Sequence, residues 1–197
     1  MPITDQSCQR SICHAYLNHL YSKQKKMLQN SPLEATQGDV LYDSMSILIE
    51  KMALTQNDTF IDLGSGTGRV IFHAFLLSNA KEVIGIELEP ELHTVALQKK
   101  EQIMRELPLF FHEHRTIELW NSNFLTTNVD NVTVAFISAV CFSQTTLRSL
   151  AIKLNKLPHL RGVFSLKPLT YLDTLRFKST IRVQCSWGSA LCYWYGV

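Results

Sequence analysis

Two acids and a run of glycines carry the clearest chemistry in this sequence. Asp62-Leu63-Gly64-Ser65-Gly66-Thr67-Gly68 follows the short apolar run Thr59-Phe60-Ile61, and Glu87 closes a second run, Glu82-Val83-Ile84-Gly85-Ile86. A strand that ends in a glycine-rich turn and opens directly into a helix brings bare backbone close to a nucleoside, an approach that only glycine permits. A dinucleotide turn, G-x-G-x-x-G, would need glycine at Arg69, whereas the third glycine stands one residue earlier, at Gly68. Glu87 lies about 20 residues beyond the turn, where a ribose-binding carboxylate belongs. A carboxylate there accepts from both ribose hydroxyls, which an amide does less well. Asp62 has three possible uses: to brace the turn, to receive an ammonium group, or to cap the following helix.

The elements that must position these residues follow from periodicity. Ser11 to Leu28 places Ile12, Tyr16 and Leu20 at helical spacing, Ser31 to Gly38 reads as a loop, and a helix is expected from Asp39 to Met52 with Leu41, Met45, Leu48 and Met52 on one face. From Asn57 onward strands and helices alternate. Strands are expected at Thr59–Leu63, Glu82–Glu87, Thr116–Trp120, Val132–Ile137 and Gly162–Leu166, with helices after Gly68, at Pro90 and through Leu147, Leu150, Leu154 and Leu157. Thr180–Trp187 and Ala190–Tyr195, joined by Gly188-Ser189, read as a closing hairpin. The expected fold is α/β, a doubly wound and mostly parallel sheet with a C-terminal antiparallel hairpin. Residues 1–38 form an N-terminal helical extension and residues 39–197 the domain itself. Ligands of such sheets bind beyond the carboxyl ends of the strands, where Asp62, Glu87, Asn123 and Ser138 fall.

Composition limits the alternatives. With 46% hydrophobic and 18% charged residues the 197-residue chain can build one substantial core. A net charge of +2 gives no ground for strong nucleic-acid binding, and the cluster Lys23, Lys25, Lys26 reads as a solvated helix face. Five irregularly spaced cysteines define neither a zinc site nor a disulfide framework. His112-Glu113-His114 lacks a third ligand of matching spacing, so no metal is expected, and His73 reads as structural. No apolar run reaches the ~18 residues of a membrane span, and no signal stretch follows Met1. The expectation is an intracellular, cytoplasmic protein without membrane contact. Its oligomeric state is not encoded in any pattern.

The D-x-G-x-G-x-G spacing with a second acid resembles class I S-adenosylmethionine (SAM) methyltransferases. Four segments in order narrow this: Phe60-Ile61-Asp62-Leu63-Gly64-Ser65-Gly66, Val134 to Phe142, Ser165-Leu166-Lys167-Pro168, and Cys185-Ser186-Trp187-Gly188 followed by Tyr193. Together they resemble the non-SET lysine methyltransferases of the disruptor-of-telomeric-silencing type. The turn is also similar to that of small lysine methyltransferases of mitochondria and prokaryotes. The resemblance implies a Rossmann-like methyltransferase fold, SAM as cofactor and a protein substrate with a target lysine, histone-like or otherwise. It assigns cofactor contacts to Tyr42, Asp62, Gly64, Ser65, Gly66, Gly68, Glu87, Asn123 and Phe124. It places Phe136, Trp187 and Tyr193 in an aromatic channel for the lysine, with Ser138 near the methyl group. Three positions depart from the family. Ser138-Ala139 replaces an Asn pair, Asn123 replaces the acid that meets the adenine amino group, and Leu41-Tyr42-Asp43-Ser44 stands for a Y-G-E segment. A methyltransferase for RNA or a small molecule, and a SAM-binding module with little transferase activity, are the other readings these residues allow.

Overall fold

A computed structural model of the chain describes residues 6–22, 39–111 and 114–197. The lysine cluster, the loop at 31–38, the last turn and a half of the expected first helix, and His112-Glu113 lie outside the described residues. The helices are α1 (Gln6–Ser22), α2 (Tyr42–Met52), α3 (Arg69–Leu77), α4 (Pro90–Glu106) and α5 (Gln144–Leu154). The strands are β1 (Thr59–Leu63), β2 (Glu82–Glu87), β3 (Thr116–Asn121), β4 (Val134–Ile137), β5 (Gly162–Ser165), β6 (Arg176–Cys185) and β7 (Gly188–Gly196).

The seven strands form one sheet of order β3-β2-β1-β4-β5-β7-β6. β1 to β5 pair in parallel, and β7 runs antiparallel between β5 and β6. The central strands are buried on both faces, which explains their continuous apolar runs. Successive side chains point to opposite sides. Phe60, Val83, Phe136 and Phe164 join the cluster with α1, α2 and α3, while Ile61, Ile84, Ala135 and Val163 join the one under α5. In α1, Cys13, Leu17, Leu20 and Tyr21 share the first of these clusters.

Two local readings are corrected. The second helix begins at Tyr42, not Asp39, because the backbone before it adds to the end of β6. Val40 bridges Cys185, Leu41 N–H donates to the Gln184 carbonyl at 2.8 Å, and Ser186 N–H donates to the Asp39 carbonyl at 2.8 Å. The hairpin turns at Ser186-Trp187, not Gly188-Ser189, since Cys185 pairs directly with Gly188. Gly188 takes φ +133°, a conformation L residues rarely adopt, and so ends the turn rather than forming it.

An ion pair fastens the amino end of the sheet, opposite the site. Arg161 Nε and a terminal nitrogen donate to the two Asp58 oxygens at 2.8 and 2.9 Å, and Thr55 and Thr133 donate to the same carboxylate at 2.8 Å. Burial alone would raise the Asp58 pKa, but Arg161 and the threonines together hold it well below the usual carboxylate range. Its stabilising effect is therefore present above the unfolded carboxylate pKa and disappears as pH falls through the depressed value. Arg161→Met should cost about 2 kcal/mol in urea unfolding at pH 7, since it strands a buried carboxylate beside a partly exposed partner. The difference from the native chain should shrink in strong acid.

Candidate active site

The turn after β1 is held from beneath by β2. Gly64 and Ser65 N–H both donate to the Ile86 carbonyl, at 2.9 and 3.0 Å, and Gly68 N–H closes back on Ser65 at 2.9 Å. Gly64, Gly66 and Gly68 lie at φ +88°, +54° and +82°, where a side chain would be strained. A Cβ on Gly68 would also meet the Phe72 ring at 2.8 Å. Glu87 braces the same turn. Its Oε2 accepts from Gly66 N–H at 2.7 Å and its Oε1 from Glu89 N–H at 2.9 Å. Each oxygen keeps a second lone pair for a ligand hydroxyl.

The carboxyl ends of β1 to β4 open on a cavity of about 620 Å³. Of the sequence-predicted residues, Asp62, Gly64, Ser65, Gly66 and Glu87 line it from the turn side. Asn123 and Phe124 line it from the loop after β3, Phe136 from β4, Ser138 just after β4, and Trp187 from the tip of the hairpin. Gly68, Tyr42 and Tyr193 are not among the lining residues. Gly68 shapes the turn from behind. Tyr42 opens α2 and is buried, its ring 4.6 Å from that of His14 and 4.9 Å from that of His73, with its hydroxyl unpartnered. Tyr193 lies opposite Ser165 on β7 and packs against the cluster under α5.

Asn123 is partly committed to its own loop, since its side-chain oxygen accepts from Leu125 N–H at 2.9 Å. Its amide nitrogen remains available as a donor. His73 is structural, as the sequence suggested. It is buried, its Nε2 lies 3.0 Å from Ser46 Oγ, and burial together with His14 and Arg69 pushes its pKa down to about 3. No group of His, Cys, Asp and Glu among the described residues is arranged to hold a metal ion.

Four residues stand outside the predicted set. Phe142, on the loop after β4, lies over the turn. Its Cζ is 3.1 Å from where a Gly64 Cβ would stand, and its ring centroid is 5.2 Å from that of Phe124. Lys167 Nζ donates to the Phe142 carbonyl at 3.2 Å, which ties this loop to the segment after β5. In the same loop Ala139 sits at φ +59°, a left-handed conformation that asparagine tolerates and alanine resists by roughly 1 kcal/mol. Arg69, the fourth, lines the cavity and places its Nε 3.2 Å from Asp39 Oδ2.

Asp62 is the most unusual group here. It is 2% exposed, its Oδ1 has no hydrogen-bond partner, and burial, Glu87 and Asp39 raise its pKa well above the usual range. It does not cap α3, whose N-cap residue is Gly68 without a side-chain bond. A buried, unpartnered carboxyl opening on a glycine-lined cavity fits the cationic end of an amino-acid ligand. The turn and Glu87 fit the ribose beside it.

A sheet of this order, in which only β7 runs antiparallel, with a glycine turn after β1 and an acid at the end of β2, defines a class I SAM-dependent methyltransferase. The family model described as histone methylation protein DOT1 matches residues 20–183, and the chain belongs to that family. Among solved structures, an RNA methyltransferase from Salinibacter ruber bound to S-adenosyl-L-homocysteine is similar at 20% identity and TM-score 0.56, over 77% of this chain and 89% of that one. TrmK of M. capricolum, also bound to S-adenosyl-homocysteine, is similar at 12% identity and TM-score 0.55, over 77% and 66%. At these identities the likeness is one of fold. SAM is the cofactor of the class, and no helix among the described residues is long and apolar enough to cross a membrane.

The protonation of Asp62 gives a direct test of its part in binding. The raised pKa favours its protonated form in the free protein, and pairing with an ammonium group favours the carboxylate. Binding of SAM should therefore release up to one proton, read as a dependence of the calorimetric enthalpy on buffer ionisation heat. Asp62→Asn should abolish the release and weaken binding roughly tenfold or more. It should also stabilise the ligand-free protein above about pH 5. A raised folded pKa means that stability is lost as pH climbs from the unfolded carboxylate value, and asparagine carries no such loss.

Proposed function

We propose that this protein transfers a methyl group from SAM to a lysine ε-amine of a protein substrate. The charge of the cavity carries the reading. Glu87 and Glu89 line it, and the single cation among the described lining residues, Arg69, is itself paired with Asp39. Such a site attracts a cationic amine and repels the phosphates of a nucleic acid. The DOT1 family match supports the same substrate class.

In this reading Asp62 receives the methionine ammonium group, Glu87 the ribose hydroxyls, and the backbone of Gly64, Ser65 and Gly66 lies along the cofactor. Gly68 shapes that backbone from behind, Tyr42 acts through the neighbouring Arg69, and Asn123 and Phe124 meet the adenine. Bound SAM supplies a methyl group on a positively charged sulfur. The acceptor must lose its proton first, which costs about 4–5 kcal/mol at pH 7 for an amine of pKa ~10.4. The acids recruit the ammonium form, but once the cofactor engages Asp62 and Glu87 the remaining walls are largely apolar. Phe136, Val140, Phe142 and Trp187 then disfavour the charged amine and lower its pKa. Ser138 stands at the end of β4 as a hydrogen-bonding group for the incoming nitrogen.

The test is transfer of labelled methyl from SAM to purified histones and to lysate proteins and RNA. The expected result is protease-sensitive label that mass spectrometry locates on lysine. Label that ribonuclease removes, or SAM binding without transfer to any fraction, would overturn the reading.

A further inference from the structure

The N-terminal helix reaches the cofactor turn through one side chain. Tyr21, in the last turn of α1, is 4% exposed, and its hydroxyl donates to the Thr67 carbonyl at 2.9 Å. Thr67 lies between Gly66 and Gly68, so this bond fixes the part of the turn that no β2 group holds. The Tyr21 ring also supports a cation, with the Arg69 guanidinium 4.4 Å from its centroid. Arg69 is the first residue of α3, where the positive end of the helix dipole opposes a cation. What offsets that opposition is around it: the face of Tyr21, the face of Tyr42 at 5.9 Å, and Asp39. Asp39 in turn is joined by backbone to Ser186, next to Trp187.

We propose that Tyr21 is a positioning residue for methyl transfer, which acts through the Thr67 carbonyl and the Arg69 guanidinium to hold the turn in its binding shape. The helix is thereby part of the cofactor site. Burial raises the Tyr21 pKa well above the ordinary phenol range, so the hydroxyl stays a donor at every pH at which the protein works. Tyr16 offers an internal comparison. It sits on the same helix and donates to Glu106 Oε2 at 2.9 Å on an exposed face, far along α4 from the turn.

The inference holds whichever acceptor is methylated, and its test needs no acceptor. Tyr21→Phe removes one oxygen and keeps the ring that carries Arg69. In the full chain, well below its melting temperature, it should raise the Kd for S-adenosylhomocysteine about fivefold, the worth of one buried hydrogen bond. Amide exchange at residues 66–69 of the ligand-free protein should accelerate by a similar factor. Tyr16→Phe should change neither. An unchanged Kd and exchange rate in Tyr21→Phe, equal changes in both variants, or a Tyr21→Phe protein that does not fold would each overturn the proposal, because the hydroxyl would then serve only helix docking or stability.

Discussion

Glu87→Ala should weaken SAM binding about a hundredfold, measured by calorimetric titration, and lower the melting temperature of the ligand-free protein by several degrees. The size follows from what the carboxylate holds. Two charge-assisted bonds, from Gly66 and Glu89 N–H, vanish together with those expected to the ribose hydroxyls. Bonds to charged groups are worth about 1.5–3 kcal/mol each, and roughly 3 kcal/mol net corresponds to about two orders of magnitude in Kd. Gly66 is the harder loss. Its amide sits at φ +54°, so without its acceptor the turn has fewer reasons to keep that shape. Glu87→Gln distinguishes bracing from charge. Its amide oxygen can satisfy one backbone donor, but its NH₂ must then face the other, so it should retain only part of the affinity. Wild-type Kd values in Glu87→Ala would remove Glu87 from the cofactor site. The same variant should also reduce proton release on binding, because Glu87 is one of the groups that raise the Asp62 pKa.

The parts of this fold that were legible in the sequence are those set by short-range rules. Continuous apolar runs gave the parallel strands, because both faces of β1, β2, β4 and β5 are covered. The glycine spacing located the turn, and the acids at strand ends located the rim of the cavity. What could not be read are the pairings that join distant segments. Helical spacing at Leu41, Met45 and Leu48 extended the second helix back to Asp39, but the edge of β6 captures Asp39 to Leu41 as strand-like backbone. The hairpin was displaced by two residues because Gly188-Ser189 is the better local turn signal, while cross-strand pairing puts the turn at Ser186-Trp187. Phe142 was visible only as part of an apolar segment, and its position over Gly64 depends on the path of the loop after β4. Arg69 shows the same limit. A cation at the first position of a helix breaks a local rule, and that breach was the one signal in the sequence that something outside α3 holds it. Tyr21, Tyr42 and Asp39 supply the answer, from segments 27 to 48 residues away.

The displacement of the hairpin changes what Trp187 can do, and with it the largest effect expected on the acceptor side. At the tip of a two-residue turn the indole is 45% exposed while still lining the cavity, so it covers the mouth without supporting the core. Trp187→Ala should therefore leave the melting temperature and the SAM Kd within about twofold of wild type. It should lower kcat/KM for a protein acceptor by about 10- to 100-fold at pH 7. The loss has a signature beyond its size. If the indole dehydrates the amine, its removal lets water in and raises the pKa of the bound lysine, and each unit of that rise is tenfold less free amine at neutral pH. The activity profile of the variant should then shift to higher pH, with much of the rate restored near pH 9.5. Trp187→Phe, which keeps an apolar ring, should shift it less. A loss equal at every pH would mean that Trp187 only binds the flanking chain of the substrate, and no loss at all would remove it from the acceptor channel. The acidic lining makes the shift easier to see. With Asp62 and Glu87 engaged by the cofactor, Glu89 still favours the ammonium form wherever water reaches, so only a closed apolar mouth allows a neutral amine to meet the methyl group at physiological pH.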